Sequence, residues 1–342
     1  MDTLANLVAR IEQHYPFQIR HIEALTDKIY KFRTTQDQTL IAKRVLNSHD
    51  DEFLTRQLYA YKALSGHILK IHETTRGTHT VHDGADFLYV TDFVRRIPLP
   101  IEAQANDYMK LLGKLHEKTM LDIEKQEQDI TFSYAEDYKL IEKNVLLLEE
   151  RMNAYEMKLS RSPFEWYFMM LYPVLYSMYR KSDEAMKKFY RKLSRTKQMP
   201  VSLVHGDVNL ANLLASENGT FLINFESAHF DLPSVDLIAF LSHYHQLPGV
   251  RNIANKYLTS FSSSLIEHHF FMRTLCVDLD HIFAGLKGHT LFDISILNER
   301  IAPSMLAMQL HEEMHPQKPP PTATKKKHTA PSSDKKAKDA TD

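Results

Sequence analysis

Residues 204–212, Val204-His205-Gly206-Asp207-Val208-Asn209-Leu210-Ala211-Asn212, constrain this chain more than any other segment. The apolar run 201–204 leads into them, Leu213 and Leu214 follow, and a second run, Phe221-Leu222-Ile223-Asn224-Phe225-Glu226, begins nine residues beyond Asn212. Apolar runs separated by a polar, Gly-containing stretch predict a strand, a tight loop and a hairpin back to a second strand. The loop holds His-x-Asp, with an Asn five residues after the Asp. Asp207 suits the acceptance of a proton from an attacking hydroxyl, and Asn212 offers an amide oxygen that can ligate Mg²⁺. Gly206 permits the sharp turn. His205 is a candidate catalytic residue that braces the loop more than it does chemistry. Asp236, at the start of a predicted helix, either caps that helix or supports the loop from behind.

Composition narrows the setting. With 342 residues, 43% hydrophobic and 25% charged, the chain can fill two lobes with an ordinary globular core. A net charge of −1 gives no global pointer to nucleic acid or membrane. No run approaches the ~20 apolar residues of a membrane-spanning helix, and no signal peptide is visible, so synthesis in the cytoplasm is expected. The single cysteine, Cys276, sits between Leu275 and Val277 and reads as a buried apolar residue in a reducing compartment.

Three regions are expected. Residues 1–95 predict a small α+β lobe: a helix over 4–15, strands over 28–33 and 39–45, an amphipathic helix over 52–64, and strands over 68–73 and 87–93. Residues 96–315 predict a helical lobe carrying the His-Gly-Asp loop, with helices over 102–118, 134–157, 164–181, 184–193 and several beyond 235. Residues 316–342 hold seven Lys against three Asp, five prolines and almost nothing apolar, which predicts a disordered tail. Its lysines either keep the chain soluble or engage an anionic partner.

The segment 204–241 resembles the aminoglycoside phosphotransferase and choline kinase branch of the protein-kinase-like fold. The His-Gly-Asp loop, the Ile223-Asn224-Phe225-Glu226 strand and Asp231-Leu232-Pro233-Ser234-Val235-Asp236-Leu237 carry that resemblance. Thr91-Asp92-Phe93-Val94 is similar to the hinge between lobes, and Leu112-Gly113-Lys114-Leu115-His116 to the helix after it. Within the branch the chain most resembles the spore coat protein S family of endospore formers, over roughly residues 25–310. The resemblance implies a bilobal α+β fold with a β-rich first lobe. It makes Asp207 the catalytic aspartate and makes Asn212 and Asn224, with Glu226, the metal ligands. Lys43 becomes the nucleotide-phosphate lysine, with Gln57 or Glu52 beside it. ATP and Mg²⁺ are the implied cofactors, a small molecule bearing a hydroxyl the implied substrate, and spore coat proteins the implied partners.

Three departures bear on activity. Asn224 stands where the family places an Asp, and a neutral amide binds a divalent cation less tightly than a carboxylate. No glycine precedes Gly66, so the first strands lack a Gly-rich phosphate loop. The helix position expected to pair with Lys43 is Gln57, not a glutamate. Two readings follow: a spore coat-associated protein of this fold that is catalytically weak or silent, and an active ATP-dependent kinase of a small molecule.

Overall fold

The computed structural model describes residues 4–46, 52–83, 86–288 and 290–316. The tail expected at 316–342 lies, from residue 317 on, outside the described residues. The first lobe runs α1 (Leu4–His14), β1 (Ile19–Ala24), β2 (Ile29–Thr34), β3 (Thr39–Leu46), α2 (Glu52–Ala63), β4 (Thr80–Asp83) and β5 (Asp86–Asp92). Its strands form one antiparallel sheet in the order β1-β2-β3-β5-β4.

The period of two along a strand divides this sheet's work. Leu40, Ala42, Leu88 and Val90 face α1, where they bury Leu7, Ile11 and Tyr15. Val45, Phe87 and Tyr89 face α2 and bury Phe53. Lys43 shares the second face, and its Cα is paired across the ladder with Tyr89. A slip of one residue would send Lys43 to the α1 side, so the apolar pattern of β3 and β5 fixes the lysine's direction.

The second lobe comprises α3 (Ile101–Thr119), β6 (Leu121–Glu124), α4 (Glu127–Glu156), α5 (Pro163–Thr196), β7 (Gln198–Val204), β8 (Leu213–Ser216), β9 (Gly219–Leu222), β10 (His229–Asp231), α6 (Ser234–Tyr244), α7 (Val250–Thr259), α8 (Ser264–Leu275), α9 (Leu279–Ala284) and α10 (Leu291–Met314). Strands β10, β7 and β6 form one small sheet, and β8 and β9 a hairpin. Among the described residues, no helix is long and apolar enough to cross a membrane.

Three expectations change. The helices expected at 164–181 and 184–193 are one helix, α5, which opens on a Ser162–Glu165 capping box with Pro163 in its first turn. The polar Ser182 does not break it, because the side chain is buried and its hydroxyl donates to the Met272 carbonyl of α8 at 2.7 Å. Residues 68–73 are not a strand. Ile68 and Ile71 make isolated bridges to Leu222 and Thr91, and His67 O accepts from Leu222 N at 2.8 Å, so this segment joins the first-lobe sheet to β9. Strands β1, β4 and β6 were not expected. With β1 in place, the turn over the cleft is 25–28, between β1 and β2, and not the 35–38 turn between β2 and β3.

Candidate active site

Strand β7 delivers the His-Gly-Asp loop from a fully buried position, Val204. Asp236, on α6 and almost wholly buried, accepts from His205 N at 2.7 Å and Gly206 N at 3.1 Å. Its third partner is the buried His116 of α3, whose Nε2 lies 3.1 Å from Oδ2. The other nitrogen of His116 is 2.5 Å from the Tyr257 hydroxyl, which in turn donates to the Pro233 carbonyl at 2.7 Å. Burial pushes the Asp236 carboxyl up. The hydrogen bond and charge of His116 and the loop N–H groups outweigh that, and the group lies below the usual carboxylate range. Asp236 makes no side-chain cap on α6; its bonds go to the loop.

His205 is completely buried between Tyr108 and Phe225, and its Nε2 lies 2.9 Å from the Ile223 carbonyl. A carbonyl only accepts, so Nε2 carries the proton and the ring ties the loop to the turn that follows β9 and holds Asn224. Gly206 has φ +75°, and a Cβ there would stand 2.2 Å from the Ser227 carbonyl oxygen. Asp207 is exposed at the loop's tip. Asn212 Nδ2 donates to its Oδ2 at 3.1 Å and to its backbone carbonyl at 2.9 Å.

From Asn212 a chain of side-chain bonds crosses to the first lobe. Asn224 Nδ2 donates to Asn212 Oδ1 at 2.7 Å, and Lys43 Nζ donates to Asn224 Oδ1 at 2.8 Å. Lys43 also forms a close ion pair with Glu226, which accepts from the Tyr89 hydroxyl at 3.2 Å. Asn224 sits at φ 67°, ψ 62°, a left-handed conformation that asparagine tolerates better than most residues. Burial works against ionisation of Glu226. The charge and hydrogen bond of Lys43 prevail and hold its carboxyl below the usual range. Burial, then the Glu226 charge, pushes the Tyr89 hydroxyl well above its ordinary range.

The sequence-predicted residues therefore separate into groups. Asp207, Asn212, Asn224, Glu226 and Lys43 are brought into one connected network. Gln57 is buried at its edge, and among the described residues its Oε1 has no hydrogen-bond partner. Glu52 is exposed in the first turn of α2 and does not join. Lys43 finds its carboxylate on Glu226 and not on α2. Tyr89, Tyr108 and Tyr257 support the site and carry no motif, whereas His116 ends the Leu112–His116 segment that resembles the helix after the hinge, its bond to Asp236 not having been expected. Of the three tyrosines, only Tyr89 was reachable from sequence, through the register of β5 against Lys43.

Between the lobes lies a cleft of about 250 Å³ bordered by Lys43, Gln57, Asn224 and the hinge residues Asp92, Phe93 and Val94. Apolar walls of Ile29, Ile41, Leu222 and Ile223 suit a flat ring. The donor set beside it does not suit a divalent cation. Both amide oxygens accept N–H groups, the Glu226 carboxylate is paired with an ammonium, and among the described residues no three His, Cys, Asp or Glu could hold a metal ion.

The profile of the phosphotransferase enzyme family matches residues 19–262. No curated protein sequence matches the chain. Among solved structures, the chain is similar to an aminoglycoside phosphotransferase from Alicyclobacillus acidocaldarius, with 13% identity, a TM-score of 0.57, and coverage of 92% of this chain and 96% of that one. It is also similar to the AMP-bound spectinomycin phosphotransferase, with 13% identity, a TM-score of 0.50, and coverage of 89% and 98%. At such identities the likeness shows the fold, and the profile match, over more than half of the residues, shows the family. The chain belongs to the phosphotransferase enzyme family.

Proposed function

We propose that this chain is a kinase-fold protein of the endospore coat, close to the spore coat protein S family, that transfers phosphoryl groups weakly or not at all. The observation that carries the low activity is the placement of Lys43. Its ammonium is bonded to Asn224 Oδ1 and paired with Glu226, so a cation from the protein already satisfies the groups that would ligate Mg²⁺. Phosphoryl transfer relies on metal to neutralise charge on the phosphates, and positioning alone does not replace it. The sequence resemblance supports the coat assignment. On this reading residues 1–95 and 96–315 are working units, 316–342 form an attached tail, and the partners are coat proteins.

A second reading, an active ATP- and Mg²⁺-dependent kinase of a small hydroxyl compound, is favoured by one observation: Asp207 is exposed and held by Asn212 as a proton acceptor should be. Two measurements separate the readings. A fluorescent fusion in sporulating cells is expected at the forespore surface, and a signal that stays diffuse in the mother cell overturns the coat assignment. Phosphate release from Mg·ATP is expected at the level of an Asp207→Ala control; a rate well above it favours the kinase.

A further inference from the structure

The charges around the interlobe cleft do not favour a triphosphate. Lys43 contributes +1, Glu226 and Asp207 each −1, and the two asparagines nothing. Two of the three donors on the Lys43 ammonium are spent on Asn224 and Glu226. The turn over the cleft, Leu25-Thr26-Asp27-Lys28, contains no glycine to bring backbone amides close to phosphates. A metal-free nucleoside triphosphate would therefore place about four negative charges beside two carboxylates, with one ammonium donor left to meet them.

The remaining features suit a less charged ligand. The apolar walls and the hinge accept a planar base. Gln57 is 4% exposed, borders the cleft, and its Oε1 has no partner among the described residues. A buried amide oxygen without a partner is unfavourable, and a ligand hydroxyl or amino hydrogen would satisfy it. The neutral Gln57 adds no charge to the cleft.

We propose that the cleft binds a nucleoside bearing at most one phosphate, in preference to Mg·ATP, and that divalent metal does not strengthen the binding. The Lys43 ammonium, fixed by Asn224 and Glu226, supplies the only positive charge among the described residues that line the cleft, through its one remaining donor. This rests on the weak-transfer reading above and adds to it the class of ligand that the cleft holds.

Calorimetric titration of the full chain with adenosine, guanosine, AMP and ATP, each in EDTA and in Mg²⁺, tests it. One of the two nucleosides is expected to bind with a Kd that changes less than twofold with Mg²⁺. AMP, if adenosine is the one bound, should lie within about threefold of it. ATP should be at least tenfold weaker in either buffer. Gln57→Leu should weaken the nucleoside at least fivefold while the unfolding midpoint stays the same or rises. Asn224→Asp should make ATP binding depend on Mg²⁺ by tenfold or more. ATP binding tenfold tighter than either nucleoside in Mg²⁺ overturns the inference, as does binding of neither nucleoside. Phosphate release measured on the same samples keeps the two questions apart. Tight Mg·ATP binding without turnover sinks only this inference, whereas turnover above the Asp207→Ala control sinks the weak-transfer reading.

Discussion

Replacing Asp236 by Asn should unfold the site from behind. The carboxylate accepts from His116 Nε2, His205 N and Gly206 N at 3.1, 2.7 and 3.1 Å, the first two fully buried and the third partly so. An asparagine keeps the shape but presents one oxygen and one NH₂ group. Whichever way it turns, at least one of the three donors then faces another donor. Hydrogen bonds to a charged group contribute about 1.5–3 kcal/mol each, and breaking a buried ion pair costs about 3–5 kcal/mol. The expected loss is therefore about 4 kcal/mol, a large part of the roughly 5–15 kcal/mol that holds a native protein together. Urea unfolding followed by far-UV circular dichroism and by fluorescence of Trp166, the one tryptophan, measures it. The wild-type carboxyl is depressed in the folded state. Its contribution is thus present above the unfolded value of about 3.9 and is lost as pH falls through the folded one. A loss below about 1 kcal/mol would refute the reasoning, because it would mean that this bracing adds little over an ordinary surface contact.

Three further outcomes are expected. Gly206→Ala must adopt φ +75° and clash with Ser227 O at 2.2 Å. The left-handed backbone alone costs about 1–2 kcal/mol, and the thermal midpoint should fall much further than in Gly219→Ala, where φ is +122° with nothing within 4 Å; equal shifts would contradict the packing described. Burial, with a lesser effect of Arg273, lowers His269 to about 3. The unfolded chain takes up that proton near pH 6.5 and the folded chain does not, so stability should decline as pH falls below about 6.5. His269→Gln should flatten the decline in urea midpoints between pH 7 and 5, and an unchanged slope would refute this. Cys276, half-buried, with a thiol that desolvation pushes up to about 12, should resist a thiol-specific reagent at pH 8 in the folded protein and react once the chain is denatured; fast reaction in the native state would contradict that upward shift.

The sequence revealed much of the scaffold because its strongest signals are local. The run into Val204 and the loop after it predict their own conformations, and the apolar stretches of β3 and β5 mark both as strands; the strand expected over 221–226 instead ends at Leu222, and Asn224 turns left-handed into a short 3-10 turn. What stayed hidden depends on contacts distant in sequence. Strand β1 shows no buried residue: Ile19 and Ile22 are half-buried and the other four are exposed, so no alternation marks 19–24 as a strand. Residues 68–73 are apolar enough for a strand but spend their hydrogen bonds joining two lobes. The gap left between the helices expected at 164–181 and 184–193 is closed where Ser182 bonds the Met272 carbonyl, 90 residues away. The pairing of Lys43 with Glu226, 183 residues apart, could not be read from either neighbourhood, and it alters the site more than any single residue type does.

Whether Lys43 occupies the place of a metal ion can be seen directly in a crystal structure of the protein grown with excess ATP and Mn²⁺, with the Mn²⁺ anomalous signal recorded, and Asn224→Asp crystals grown alike for comparison. We expect no anomalous peak between Asn212 and Asn224 in the wild type, Lys43 Nζ still bonded to Asn224 Oδ1, and a peak in the variant. A wild-type peak ligated by the Asn212 and Asn224 oxygens, with Lys43 displaced onto phosphate, would contradict it.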